Sequence, residues 1–298
     1  MSGGKLNNRR RMSQALSRVA NASVVETLKN QKELPEETLY RIGITGAPGS
    51  GKSTIISNLV SKRVDNGSRA AVVAIDPSSP LTKGSILGDR IRMDTVSNNP
   101  NVFIRSIPSR RSHDGLADNT ADLLWEMEGY EFDEVILETV GVGQAEYSVR
   151  ALVDTVILVL LPESGDAVQA MKSGILEMAD IYVINKSDLP GAELIAAEIN
   201  EIVSRNTYSS DEWKPCVLST SNKTLESFNL LNNAINEHRE WRMKSIDKAS
   251  EQRSRVRYQV QSLMNRRVEE LLEIMPLKEF DGHPKEVYEK LMKKLLIK

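Results

Sequence analysis

Residues 46–53 read Gly46-Ala47-Pro48-Gly49-Ser50-Gly51-Lys52-Ser53, the pattern GxxxxGK[ST]. It lies between the apolar run Ile42-Gly43-Ile44-Thr45 and the helix-forming stretch Thr54-Ile55-Ile56-Ser57-Asn58-Leu59-Val60. Few patterns constrain a fold so tightly. A glycine-rich turn between a buried strand and a helix is the arrangement that wraps consecutive backbone N–H groups around phosphate oxygens. The glycines permit the close coil, and the helix adds its positive amino end. Lys52 is then placed to reach the β- and γ-phosphates and Ser53 to ligate Mg²⁺, with Gly46 to Thr54 as the nucleotide-contacting stretch. Binding of a nucleoside triphosphate is the expectation.

A second element bears on the base. Ile181-Tyr182-Val183-Ile184 is a short β-rich run followed by Asn185-Lys186-Ser187-Asp188, the pattern NKxD. Guanine presents N1–H and an exocyclic N2–H₂ as donors, and the Asp188 carboxylate can accept both. Lys186 can lay its stem over the ring, and Asn185 can tie this loop to the phosphate loop. Adenine has no matching pair of donors and would leave Asp188 unsatisfied. GTP is therefore favoured over ATP. Ser219, Thr220 and Ser221, after a further apolar run, stand where a loop supporting the guanine belongs.

Between these motifs lie candidates for metal and switch roles. The buried-strand pattern Glu134-Val135-Ile136-Leu137 ends in Glu138-Thr139-Val140-Gly141-Val142-Gly143-Gln144. Glu138 stands where P-loop enzymes carry the Walker B acid, and Gly141 where they present a backbone N–H to the γ-phosphate. Gln144 is the candidate for positioning the attacking water. Upstream, Ala71-Val72-Val73-Ala74-Ile75 delivers Asp76, and the polar stretch after it contains Asp89. Ser53, Asp76, Asp89 and Glu138 form a set of hard oxygen donors of the kind Mg²⁺ prefers.

Five strings together resemble the MeaB/ArgK family, GTPases associated with methylmalonyl-CoA mutase. They are Asp76-Pro77-Ser78-Ser79-Pro80, Leu87-Gly88-Asp89-Arg90-Ile91-Arg92-Met93, Phe103-Ile104-Arg105-Ser106, the Glu138–Gln144 loop and Asn185-Lys186-Ser187-Asp188. The resemblance implies a SIMIBI-class P-loop protein, in which Lys52, Ser53, Asp76, Asp89 and Glu138 serve phosphate and magnesium. It further implies a nucleotide-linked homodimer and a role as chaperone or gate for an adenosylcobalamin-dependent acyl-CoA mutase. Ser164 to Glu177 resembles the family's third switch, with Asp166, Gln169 and Lys172 as signalling candidates. The alternatives are an ATP-dependent kinase or transport-coupled ATPase, which Asp188 opposes, and a structural GTP-binding dimer.

Seven apolar runs alternate with helical patterns along most of the chain, which implies an α/β fold: a mainly parallel sheet flanked by helices, with ligand loops at the carboxyl ends of its strands. The organisation read from composition is an N-terminal helical extension over 1–40, a nucleotide domain over 41–235 and a C-terminal helical arm over 236–298. In the arm, Val256, Val260, Leu263, Met264, Val268, Leu271 and Leu272 recur at helical spacing. They suit either packing on their own domain or a dimer contact. A net charge of −2 from 39 basic and 41 acidic residues gives no field for nucleic acid. One cysteine, Cys216, and three scattered histidines disfavour a Cys/His metal site. The most apolar run, Val156 to Leu161, is too short for a membrane span. The first 25 residues carry Lys5, Arg9, Arg10, Arg11 and Arg18 and no acid, a composition that a mitochondrial targeting peptide shares. Leu16, Val19 and Ala20 instead suit a helix packed on the nucleotide domain, and the cytoplasm is the favoured location.

Overall fold

A computed structural model of the chain describes residues 2–31, 39–77, 93–109, 119–139, 145–162 and 178–296. Seven strands form one parallel sheet: β1 (Tyr40–Gly46), β2 (Ala70–Pro77), β3 (Val102–Ser109), β4 (Glu134–Glu138), β5 (Thr155–Leu160), β6 (Ile181–Asn185) and β7 (Cys216–Thr220). Their order is β3-β2-β4-β1-β5-β6-β7. All seven expected strands are present, and β3 runs in register with β2 as far as Pro77 and Ser109.

Parallel strands are covered on both faces, so their sequences read as continuous apolar runs while alternate residues serve opposite layers. In β5, Val156, Leu158 and Leu160 enter one core and Ile157 and Val159 the other. The first core is closed by helices α1 (Ser2–Asn21), α5 (Thr120–Glu128), α6 (Ala145–Leu152) and α7 (Ala192–Arg205), through residues such as Leu16, Leu124, Val149 and Ile199. The second is closed by α3 (Lys52–Asp65), the short α4 (Asp94–Ser97) and α8 (Ser227–Ser245), through Ile55, Val96 and Leu231. The expected helix around Leu16 and Val19 is thus α1, packed on the sheet domain. A six-residue helix α2 (Val24–Lys29) follows it, opened by a Ser23–Glu26 capping box.

The boundary expected after residue 235 falls inside α8. The chain breaks helix only at Ile246-Asp247, where Asp247 caps α9 (Lys248–Ile274) by accepting from the Ala249 and Ser250 amides. Helix α9 folds back over α6, α5 and α2. Of its apolar residues, Leu263 and Leu271 are buried, whereas Val260 and Met264 are exposed. Own-domain packing therefore accounts for one side of the helix. A 3₁₀ turn (Leu277–Phe280) leads to α10 (Pro284–Leu296), which packs on the end of α9 through Leu271, Met275 and Leu291. Among the described residues no helix is long and apolar enough to cross a membrane.

Candidate functional site

Strand β1 lies between β4 and β5, with β2 and β3 beyond one and β6 and β7 beyond the other. The connection leaving its carboxyl end therefore enters the crevice where the strand order reverses, the place where open α/β sheets take ligands. Residues 46–51 occupy it. Gly46 has φ 145°, and a Cβ there would stand 2.3 Å from the Val159 carbonyl oxygen. Gly51 has φ 90°, and its Cβ would meet the Asn185 side-chain nitrogen at 2.2 Å. Both positions exclude a side chain by sterics as well as by dihedral angle.

Helix α3 starts at Lys52, whose ammonium donates to the carbonyls of Gly46 and Ala47 at 2.8 and 2.9 Å. The side chain thus folds back across the loop that its own helix terminates. One residue on, the Ser53 hydroxyl donates to Glu138 Oε1 at 2.9 Å, with both residues buried. This contact ties the first turn of α3 to the end of β4, and the neighbouring Thr139 amide continues the β4–β1 ladder by donating to the Ile44 carbonyl at 3.0 Å. Two hard oxygen atoms of the kind Mg²⁺ prefers are thereby in contact beside a helix amino terminus. Asp76 lies one residue before the end of β2, in register with Pro108. Asp89, Gly141, Gln144 and the 164–177 segment lie outside the described residues.

The loop after β6 is joined to the phosphate loop as its sequence predicts. Asn185 donates from Nδ2 to the Ser50 carbonyl at 2.7 Å and accepts from the Thr220 hydroxyl at 3.0 Å. It links the loops after β1, β6 and β7 in a single buried step. Lys186 holds φ 56°, the one positive φ outside glycine among the described residues, a costly backbone state that turns the chain so that Ser187 N–H meets the Thr220 carbonyl at 3.0 Å. Asp188 then faces the β7 loop. Its Oδ1 accepts from the Ser221 hydroxyl at 2.6 Å and its Oδ2 pairs with the Lys223 ammonium at 2.8 Å. Lys223, and then Ser221, hold the Asp188 carboxyl down at about 2. Of the three residues expected to support the base, Thr220 and Ser221 engage the loop, whereas Ser219 is exposed. Lys223 was not anticipated. Its signal was its place two residues after Ser221, on a turn closed by the Ser221–Thr224 bridge.

A wholly parallel sheet whose central strand feeds a GxxxxGKS loop, cross-linked to an NKxD loop at the same edge, defines a P-loop GTPase. The chain belongs to the MeaB family, described as methylmalonyl-CoA mutase-associated GTPases, whose pattern it matches over residues 14–276. A Pyrococcus abyssi protein, provisionally named as a GTPase, is 38% identical over 260 residues, covering 83% of this chain and 80% of its own. The mouse protein named methylmalonic aciduria type A homolog, mitochondrial, is 33% identical over 266 residues, covering 87% of this chain and 62% of its own. A crystal structure described as LAO/AO transport system kinase superposes with a TM-score of 0.59 at 23% identity, over 95% of this chain and 97% of that one. That last likeness bears on the fold alone.

Proposed function

We propose that the chain is a Mg²⁺-dependent GTP hydrolase that cycles between nucleotide states to chaperone or gate an adenosylcobalamin-dependent acyl-CoA mutase. The observation that carries the hydrolytic part is the Ser53–Glu138 contact, which brings the phosphate loop and the end of β4 together at the crevice. Ser53 and Glu138, with Asp76 and Asp89, are the residues that would hold the ion. Bound there, Mg²⁺ supplies positive charge against the phosphate oxygens.

In the reaction, water attacks the γ-phosphorus and the bond to the β–γ bridging oxygen breaks, leaving GDP and phosphate. Lys52 exchanges its contacts to the Gly46 and Ala47 carbonyls for phosphate oxygens, and the amides of 46–54 offset the charge that develops on them. Gly141 reports the γ-phosphate through its N–H, and Gln144 positions the water. Asp188 accepts from guanine N1–H and N2–H₂, while Asn185 keeps the base and phosphate loops at a fixed separation. The helices before β1 and those from α9 onward serve as helical extensions, the latter contributing to a homodimer.

The mutase role draws on the family's description and on the mouse relative. Pull-down of a methylmalonyl-CoA mutase with this protein loaded with GDP or with a non-hydrolysable GTP analogue is expected to give nucleotide-dependent capture. Added mutase is expected to raise the steady-state GTPase rate. Absence of capture in both states, together with an unchanged rate, would discard the mutase role and leave the GTPase assignment intact.

A further inference from the structure

At the edge of the sheet opposite the phosphate loop, a cavity of about 160 Å³ is lined by Arg150, Val153, Arg242, Glu251, Ser254 and Arg255. Three guanidinium groups from three helices converge on it. Arg242 and Arg255 are both more than nine-tenths buried, yet each makes its side-chain contacts through one nitrogen alone. Arg242 Nη2 reaches Asp154 Oδ1 at 3.3 Å and also meets Glu251 Oε1. Arg255 Nη2 reaches the same two oxygens at 2.7 and 3.4 Å. Arg150 contacts Asp180 through Nη1. The remaining nitrogens of these three side chains have no hydrogen-bond partner among the described residues. All three residues line the cavity, each with donor capacity to spare.

A guanidinium carries five N–H donors in a fixed fork suited to oxyanions. Asp154 and Asp180 pair with these charges below the cavity, and among the described residues lining it Glu251 is the one carboxylate. Burial, and then the neighbouring Asp154, push the Glu251 carboxyl up, and its Oε1 is engaged by both Arg242 and Arg255. The Ser254 hydroxyl, donating to the Ser250 carbonyl at 3.1 Å, completes the wall. We propose that this cavity binds a small inorganic oxyanion of the phosphate or sulfate type between Arg150, Arg242 and Arg255. Such an ion would fasten α6, the helix that directly follows the Glu138–Gln144 loop, to the α8–α9 corner. The site is separate from the nucleotide crevice and does not depend on the reading of that crevice.

The test is thermal unfolding of the full chain with inorganic phosphate. GDP and Mg²⁺ are kept saturating so that the phosphate loop is occupied, and chloride at equal ionic strength is the control. At about ten times the dissociation constant, phosphate should raise the midpoint by roughly 2–5 °C over chloride. Arg150→Gln should weaken the response about tenfold. Because that change also strips Asp180 of its partner, Ser254→Glu, which breaks no ion pair and places a carboxylate in the cavity, should abolish the response in a stably folded protein. No excess over chloride in the wild type would overturn the proposal, as would a response that survives Ser254→Glu. A response lost in Lys52→Ala but kept in Ser254→Glu would assign the ion to the phosphate loop instead.

Discussion

The two edges of the sheet are built from the same strands and hold their polar groups in opposite ways. At the carboxyl edge, contacts join loop to loop: the Lys52 ammonium to two backbone carbonyls, Ser53 to Glu138, Asn185 to Ser50, and Asp188 to Ser221 and Lys223. Several of these partners are hydroxyls or carbonyls that a phosphate, a metal or a base can replace. At the amino edge the contacts are mostly buried ion pairs gathered beneath helices. Asp154 receives the Arg41 amide at 2.7 Å and the guanidinium groups of Arg242 and Arg255. Arg41 pairs with Glu128, and Arg63 with Glu134 at 2.8 Å. His238, with no exposed surface, packs against Trp213 and Trp241 at centroid distances of 4.7 and 5.4 Å. A buried pair costs most when one partner is removed, so the amino edge should govern stability and the carboxyl edge chemistry.

The largest effect is expected from Asp154→Ala. It strips Arg242 and Arg255 of one of the two carboxylates they share, leaving only Glu251, and removes the acceptor of the Arg41 amide, so unfolding should be easier by about 3–5 kcal/mol. Denaturant titration reads this directly, and a loss below 1 kcal/mol would break the comparison at its amino edge. Asp188→Asn tests the other edge. With its hydrogen-bond demand reversed, the variant should lose GTP affinity by roughly 100-fold and gain xanthosine triphosphate, with an unchanged unfolding midpoint. Competition binding that keeps guanine ahead of xanthine would remove Asp188 from base recognition.

A smaller effect concerns pH. Burial first, and then Arg242 and Arg150, push the His238 imidazole down to about 3, so its 3.5 Å approach to Asp180 is a contact of a neutral ring. The unfolded chain takes up this proton below about pH 6.5 and the folded one does not. His238 therefore contributes stability that is whole above pH 6.5 and falls away as the pH drops toward 3, by about 1 kcal/mol between pH 7 and 5.5. In His238→Gln that part of the slope should vanish from urea titrations at the two pH values. An identical slope in both proteins would show that the ring is charged in the fold. Lys223→Ala is the mildest change. The Lys223 side chain is 76% exposed, so losing its pair with Asp188 should alter GDP affinity by less than about fivefold, measured by calorimetric titration. A larger loss would place Lys223 against the base itself.

The two edges were not equally legible in the sequence. The carboxyl edge was open to reading because its geometry is imposed locally: Gly46 and Gly51 must accept backbone that other residues avoid, and Asn185 to Asp188 sit in four consecutive positions. The strands were legible because burial on both faces leaves uninterrupted apolar runs such as Thr155–Leu160. The amino edge had no such signal. Arg41, Asp154, Arg242 and Arg255 are spread over more than 200 positions and meet only because parallel strands gather their starts at one edge, while α9 folds back across them. The boundary expected after residue 235 fell inside α8 because that helix begins as sheet-packing residues, Phe228 to Ile235, and continues without a break into charged ones. The charge shift along the helix carries no backbone consequence until Asp247 caps the next.

The division between the edges is tested most directly by steady-state GTP hydrolysis of Glu138→Ala and Asp154→Ala, measured side by side well below their unfolding midpoints and normalised to folded protein. The account predicts that Glu138→Ala loses about 100-fold or more in turnover while its unfolding midpoint stays close to that of the wild type. Asp154→Ala should turn over GTP at nearly the wild-type rate per folded molecule. Full activity in Glu138→Ala, or an inactive but stably folded Asp154→Ala, would contradict it.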